Sequence, residues 1–222
     1  MKKTAILLAG LIMLMASSAW ALPSQLTLTF QTGSGTSIVV HDNVSGEDFD
    51  ARPDIIRYWG SVGDNWEVNV STGRIGASVG LGIPQMAITS DVTYTPNGTS
   101  LGDLIITLSG ITGVWSGPGA VATATGNTNV GGAATFTTKV AGEEVSTLSF
   151  AGVTLDFGGH DPFAASPDFD DVVELVASIS QNGYGSNGFT YRLTPVPEAS
   201  TMMFLGLGFL GLAIYTKRRS NA

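Results

Sequence analysis

A strict two-residue alternation, broken at short intervals by glycine and asparagine, limits this chain more than any other feature. Leu26 to Phe30 reads Leu-Thr-Leu-Thr-Phe, with Leu26, Leu28 and Phe30 on one side and Thr27 and Thr29 on the other. Side chains point to opposite faces only in an extended strand, so the run reads as a strand with one buried face. Similar runs occupy Ser37 to Val40, Ile55 to Trp59, Trp66 to Ser71, Met86 to Tyr94, Leu104 to Ser109, Ala134 to Val140, Val145 to Phe157, Val172 to Ile179 and Phe189 to Leu193. Between them stand Gly-Ser-Gly, Gly-Asp-Asn, Pro-Asn-Gly, Gly-Pro-Gly and Asn-Gly, residues that accept the positive φ of tight turns. The stretch "DFDDVVELVASIS" competes as a helix, but its β-branched content favours strand. "GPGAVATATGNTNVGGAA", Gly117 to Ala134, reads as a loop. Some ten strands without a helical period predict an all-β body, an antiparallel sandwich.

The two ends read as addresses. Lys2 and Lys3 precede an apolar stretch from Ala5 to Met15, and Ala19-Trp-Ala21 closes it. This is the pattern of a secretory signal peptide over residues 1–21, cut after Ala21. An uncleaved anchor is the alternative, with a core short for a span. At the other end, Thr201 to Thr216 carries no charge and would span about 24 Å as a helix. Starting at Ala199 lengthens it to about 27 Å, enough for a thin bilayer. Lys217, Arg218 and Arg219 follow at once, and such a cluster stays on the cytoplasmic side. The organisation expected is a signal peptide (1–21), an exported β-rich domain (22–195) and a tail (196–222) with a membrane helix near 199–216.

Val196-Pro-Glu198, the apolar run and the basic end, behind a signal peptide, resemble the PEP-CTERM proteins of Gram-negative bacteria. The resemblance covers about 27 residues, with Ala199 where the commoner motif has a second proline. It implies recognition by exosortase, an integral membrane Cys transpeptidase-like enzyme, and association with exopolysaccharide production. It implies anchoring in the inner membrane first, then a place at the cell surface or in the extracellular matrix after processing. The body's opening also resembles bodies often carried on such tails, and that likeness brings no activity with it.

Composition bounds the body's chemistry. Residues 22–197 hold five cations against seventeen acids, a net charge of −12. Nucleic acid and anionic lipid are poor partners for such a surface. The chain has no cysteine, which excludes disulfides, thiol nucleophiles and Cys-ligated metals. Gly76-Ala-Ser78-Val-Gly80 matches the G-x-S-x-G elbow of hydrolases, but the following "LGIPQMAITSD" is not a helix. Two histidines, His41 and His160, each stand beside an aspartate (Asp42, Asp161), and no nucleophile is placed near either by sequence. Glu143 and Glu144, with the scattered aspartates, leave a glycosidase pair open.

Two acidic stretches stand out. One carries Asp42, Glu47, Asp48, Asp50 and Asp54; the other carries Asp156, Asp161, Asp168, Asp170 and Asp171. Gly-broken, Asp-rich loops supply the hard oxygens that calcium takes, although neither has EF-hand spacing. The alternative is that these carboxylates solvate turns and cap strands. No other cofactor is expected. Tyr58, Trp59 and Trp66, with Phe49, form the densest aromatic patch, and exposed rings stack on the apolar faces of sugars. Tyr58 and Trp59 are neighbours in a strand and cannot both face one core. Two function classes follow: a non-enzymatic surface or matrix protein associated with polysaccharide, or an exported hydrolase with the same tail.

Overall fold

A computed structural model describes residues 26–77, 84–96, 102–111, 119–128, 131–151, 156–165 and 171–196, with Leu207, Gly208, Gly211 and Lys217. Twelve strands run in order β1 (Thr27–Thr32), β2 (Ser37–His41), β3 (Ile55–Val62), β4 (Trp66–Ala77), β5 (Pro84–Tyr94), β6 (Gly102–Ile111), β7 (Ala120–Asn127), β8 (Ala133–Val140), β9 (Glu143–Ala151), β10 (Phe157–Phe163), β11 (Val172–Gln181) and β12 (Gly185–Pro195). They form two six-stranded antiparallel sheets. The first has the order β2-β1-β6-β11-β8-β9, the second β10-β7-β12-β5-β4-β3.

The alternation in the sequence becomes the core. Leu28, Phe30, Leu104, Ile106, Leu108, Leu175 and Ile179 line the inner face of the first sheet, fully buried. Ile56, Val68, Ile88, Val92, Tyr94 and Tyr191 do the same on the second. At roughly 1.5–3 kcal/mol for each large apolar side chain buried, this core carries the domain without disulfides. Rings lock the sheets together: Phe30 lies 4.8 Å from Tyr58, and Phe136 lies 5.2 Å from Tyr191. The buried Tyr191 hydroxyl is hydrogen-bonded to the Thr138 hydroxyl across the core. Where β9 and β10 meet at one side, Ser146 Oγ donates to Asp161 Oδ2 (2.7 Å) and Phe150 stacks on Phe157 (4.6 Å).

The body is therefore an all-β sandwich; one contested stretch resolves as expected and two others depart from the sequence reading. "VVELVASISQ" is a strand, as its β-branched residues favour. Gly117–Ala134, read as a loop, contains β7, paired on both sides by β10 and β12. Ala120, Ala122 and Ala124 point inward there and are fully buried, so alternation outweighs weak propensity. Val145 to Phe157, read as one run, supplies β9 to the first sheet and the start of β10 to the second. His160 and Asp161 accordingly lie on an edge strand rather than in a loop.

Candidate functional site

The aromatic patch lies on β3, opposite a bulge in β4. Tyr58 pairs with Ser71 and Gly60 with Val68, so two β4 residues, Asn69 and Val70, stand opposite Trp59 and the extra residue belongs to β4. Regular alternation along β3 therefore sets its facings, with Ile56 and Val62 inward and Trp59 outward. Gly60 sits at φ +140°, and a Cβ there would come within 3.1 Å of the Tyr58 hydroxyl. Tyr58 turns inward onto Phe30, and its hydroxyl donates to the Ser61 carbonyl (3.3 Å). Trp59 turns outward and remains 48% exposed. Phe49, 47% exposed, lies on it with ring centroids 3.8 Å apart and planes 20° from parallel. Two large rings thus stack at the surface with substantial area open to solvent. Trp66 is not among them: at 3% exposure it packs against Tyr94 in the core. It opens β4 on the inward register, shared with Val68 ahead of the bulge.

Phe49 is held there by the first acidic stretch, which runs along the free edge of β3. Asp48 accepts three backbone N–H groups: Asp50 (2.8 Å) and Arg57 (2.9 Å) on Oδ1, Asn43 (3.2 Å) on Oδ2. The Phe49 N–H donates to the Arg57 carbonyl (3.0 Å), tying the ring's own backbone to β3. Asp50 is buried and takes a two-pronged bond from Arg52 (Nε to Oδ1 2.9 Å, Nη2 to Oδ2 2.7 Å), with Arg57 at 3.7 Å. The Arg52 hydrogen bonds hold the Asp50 carboxyl well below the usual carboxylate range, against the opposing effect of burial. Glu47 accepts from the His41 backbone (3.2 Å) and bonds its ring (2.8 Å), which lowers its pKa. Asp42 Oδ2 accepts the Asp54 N–H (3.0 Å), and burial raises the pKa of both carboxyls.

These carboxylates turn toward backbone donors and arginines instead of converging on one point. Among the described residues no group of three or more His, Asp or Glu side chains is placed to hold a metal ion. The second acidic stretch begins at the opposite edge of the same sheet, where Asp156 precedes β10. Its Asp161, on β10, accepts from Ser146; Asp171 precedes β11, while Asp168 and Asp170 lie outside the described residues.

Neither hydrolase lead assembles among the described residues. Gly76 and Ala77 continue β4, paired with Gln85 and Pro84 of β5, where an elbow would turn into a helix; Ser78 lies outside them. His41 and His160 stand on edge strands of different sheets. In the tail, the Val196 N–H donates to the Gly119 carbonyl (2.9 Å), which anchors the chain's exit from the sandwich. Ala19, Ala21, Pro197, Glu198, Arg218 and Arg219 lie outside the described residues, as do the signal peptide and most of 199–216. Leu207, Gly208, Gly211 and Lys217 are helical. Among the described residues no helix is long and apolar enough to cross a membrane.

No curated protein matches the chain. Similar solved structures include TmCBM61 in complex with beta-1,4-galactotriose (TM-score 0.35, 3% identity, 63% of this chain and 81% of that one). Another is the family 11 carbohydrate-binding module from Clostridium thermocellum in complex with a beta-1,3-1,4-mixed-linked tetrasaccharide (TM-score 0.34, 15% identity, 77% and 98%). A third is the carbohydrate-binding module CBM36 in complex with calcium and xylotriose (TM-score 0.29, 14% identity, 53% and 91%). The family model of the PEP-CTERM protein-sorting motif matches residues 195–219. Behind its two-sheet β-sandwich, this chain carries a match to the PEP-CTERM protein-sorting motif.

Proposed function

We propose that this is a non-enzymatic surface or matrix protein that holds polysaccharide against the Phe49–Trp59 ring pair. One observation carries the reading: two stacked aromatic rings, each about half exposed, one set outward on strand β3 and the other on a carboxylate-capped loop. Leaving that much apolar ring in water is unfavourable unless something covers it. The face of a sugar ring is of fitting shape and polarity, and a preordered platform loses little entropy on binding. In this reading residues 1–21 direct export, and the helix near 199–216 holds the protein in the inner membrane, with Lys217 to Arg219 inside. Exosortase then acts at Val196-Pro197-Glu198 and passes the body to the cell surface.

Affinity electrophoresis of the full-length protein in mild detergent, through gels containing soluble polysaccharides, tests the platform. The parent should be retarded by at least one polymer. Trp59→Ala should weaken that retention by about tenfold, the equivalent of about 1.4 kcal/mol, with the melting temperature kept. Equal retention of parent and variant on every polymer would remove the platform from the account.

A further inference from the structure

A second surface lies on the outer face of the second sheet. Thr125, Thr190, Thr89 and Thr72 stand side by side on β7, β12, β5 and β4, in direct register. Their strand neighbours Ala124, Tyr191 and Ile88 are buried, so the threonines point outward. At about 4.8 Å between strands the row is roughly 14 Å long. The Thr89 and Thr190 hydroxyls lie 3.3 Å apart. An open trough of about 510 Å³ includes three of the four, with Gly126 and Gly188 also lining it. The Gly188 N–H is held by Asn127 Oδ1 (2.9 Å).

The two sides of this row differ in charge. Two residues along the strands in one direction is Asp91, which accepts from Ser186 Oγ (3.2 Å). Two residues in the other direction are Arg192 and Arg74, both in register with Ala87 between them, and thus about 10 Å apart. Ala87 points outward yet is only 7% exposed, covered by its neighbours. Beyond Arg192, across Thr123, comes His160 on β10. Arg74 has Asp54 close by, and its charge works against the burial that raises the Asp54 pKa. Arg192 has no carboxylate at salt-bridge distance among the described residues. In a body of net charge −12, three of the five cations lie in strands of this one sheet.

We infer that this face binds an acidic, uronate-type polysaccharide lying along the threonine row. A uronic acid ring carries hydroxyls that can donate to Asp91 and Asn127 and a carboxylate that Arg192 and Arg74 can take in two-pronged bonds. The inference rests on the polysaccharide reading above but uses a different surface. A polyanion without sugar hydroxyls at the right edge would meet Asp91 as a repulsion, which disfavours nucleic acid.

The test uses full-length protein in mild detergent with polygalacturonate and with fully methyl-esterified polygalacturonate, the same backbone without its charge. The parent should bind the acid form more tightly, and that binding should weaken as salt rises. The double variant Arg74→Ala/Arg192→Ala should lose about tenfold or more on the acid form and nothing on the ester, with an unchanged melting temperature. Arg74→Lys/Arg192→Lys should recover part of the loss. Trp59→Ala, measured beside them, separates the two surfaces: a loss shared by acid and ester belongs to the ring platform. Equal binding of acid and ester by the parent overturns the inference, as does absence of binding to the acid form. So does a double alanine variant that binds like the parent, or equally tight binding of single-stranded DNA.

Discussion

Asp48→Ala is the sharpest probe of how the platform is held. The carboxylate accepts three backbone N–H groups, from Asn43, Asp50 and Arg57, two of them in half-buried surroundings. Alanine removes all three acceptors at once. At about 1 kcal/mol for each bond lost, the substitution should cost about 3 kcal/mol. For a domain of this size that is a fall of roughly 6–12 °C in melting temperature. Asp48→Asn keeps one oxygen, enough for the Asp50 and Arg57 bonds, but its amide nitrogen cannot accept from Asn43. It should therefore lose about 1 kcal/mol and roughly 2–4 °C. Thermal melts rank the variants, and amide hydrogen exchange at Asn43, Asp50 and Arg57 should quicken in the same order. If Asp48→Ala melts with the parent, the capping network is not what orders the loop, and Phe49 is held by ring stacking alone.

Other consequences follow from single contacts. Gly102→Ala would push a Cβ to 2.1 Å from the buried Tyr94 ring, and the rigid aromatic cannot yield, so a destabilisation of about 3 kcal/mol is expected by denaturant titration. Burial first, and Asp161 second, push the Tyr191 hydroxyl up to about 12 from its ordinary 10.0, against the Thr138 hydrogen bond. The folded value is the higher one, so this contribution is whole below pH 10 and is lost as pH rises to 12. It amounts to about 3 kcal/mol, and Tyr191→Phe should flatten that part of the stability profile. Asp48 and Asp50 turn to backbone donors and an arginine, and no three carboxylates of the described residues converge, so chelator and millimolar calcium should give the same melting temperature; a calcium-dependent rise above about 2 °C would mean a bound ion. Pro197→Ala/Glu198→Ala should leave the body folded and the chain unprocessed in the membrane, as read by fractionation and intact mass in a strain with the sorting enzyme.

The fold was legible wherever large apolar residues alternated, because burial of one face fixes strand and register together. Val172 to Ile179 resolved as a strand for that reason. Ala120, Ala122 and Ala124 hid β7, since a small side chain carries the alternation with little hydrophobic signal and the flanking glycines imitate a loop. Opposite facings for Tyr58 and Trp59 followed from strand geometry alone. Which of them faced water did not, because Ile55 and Ile56 open the strand with an apolar residue on each face, and only packing against the other sheet puts Ile56 and Tyr58 inward. Trp66, close to them in sequence, looked like part of the patch but belongs to the core. The acidic residues were visible as a cluster, whereas their partners, backbone N–H groups, leave no mark in sequence. Arg74 and Arg192 are 118 positions apart in the chain and meet only through β5, so no sequence pattern could have joined them.

The most direct test of the account follows the indole N–H signals of the full-length protein by NMR during titration with a polysaccharide that retards it. Trp59, on the surface, and Trp66, buried, serve as reporter and internal control, assigned through Trp59→Phe and Trp66→Phe. The Trp59 signal should move in a saturable way while the Trp66 signal stays in place. Saturable binding that leaves the Trp59 signal unmoved would contradict it.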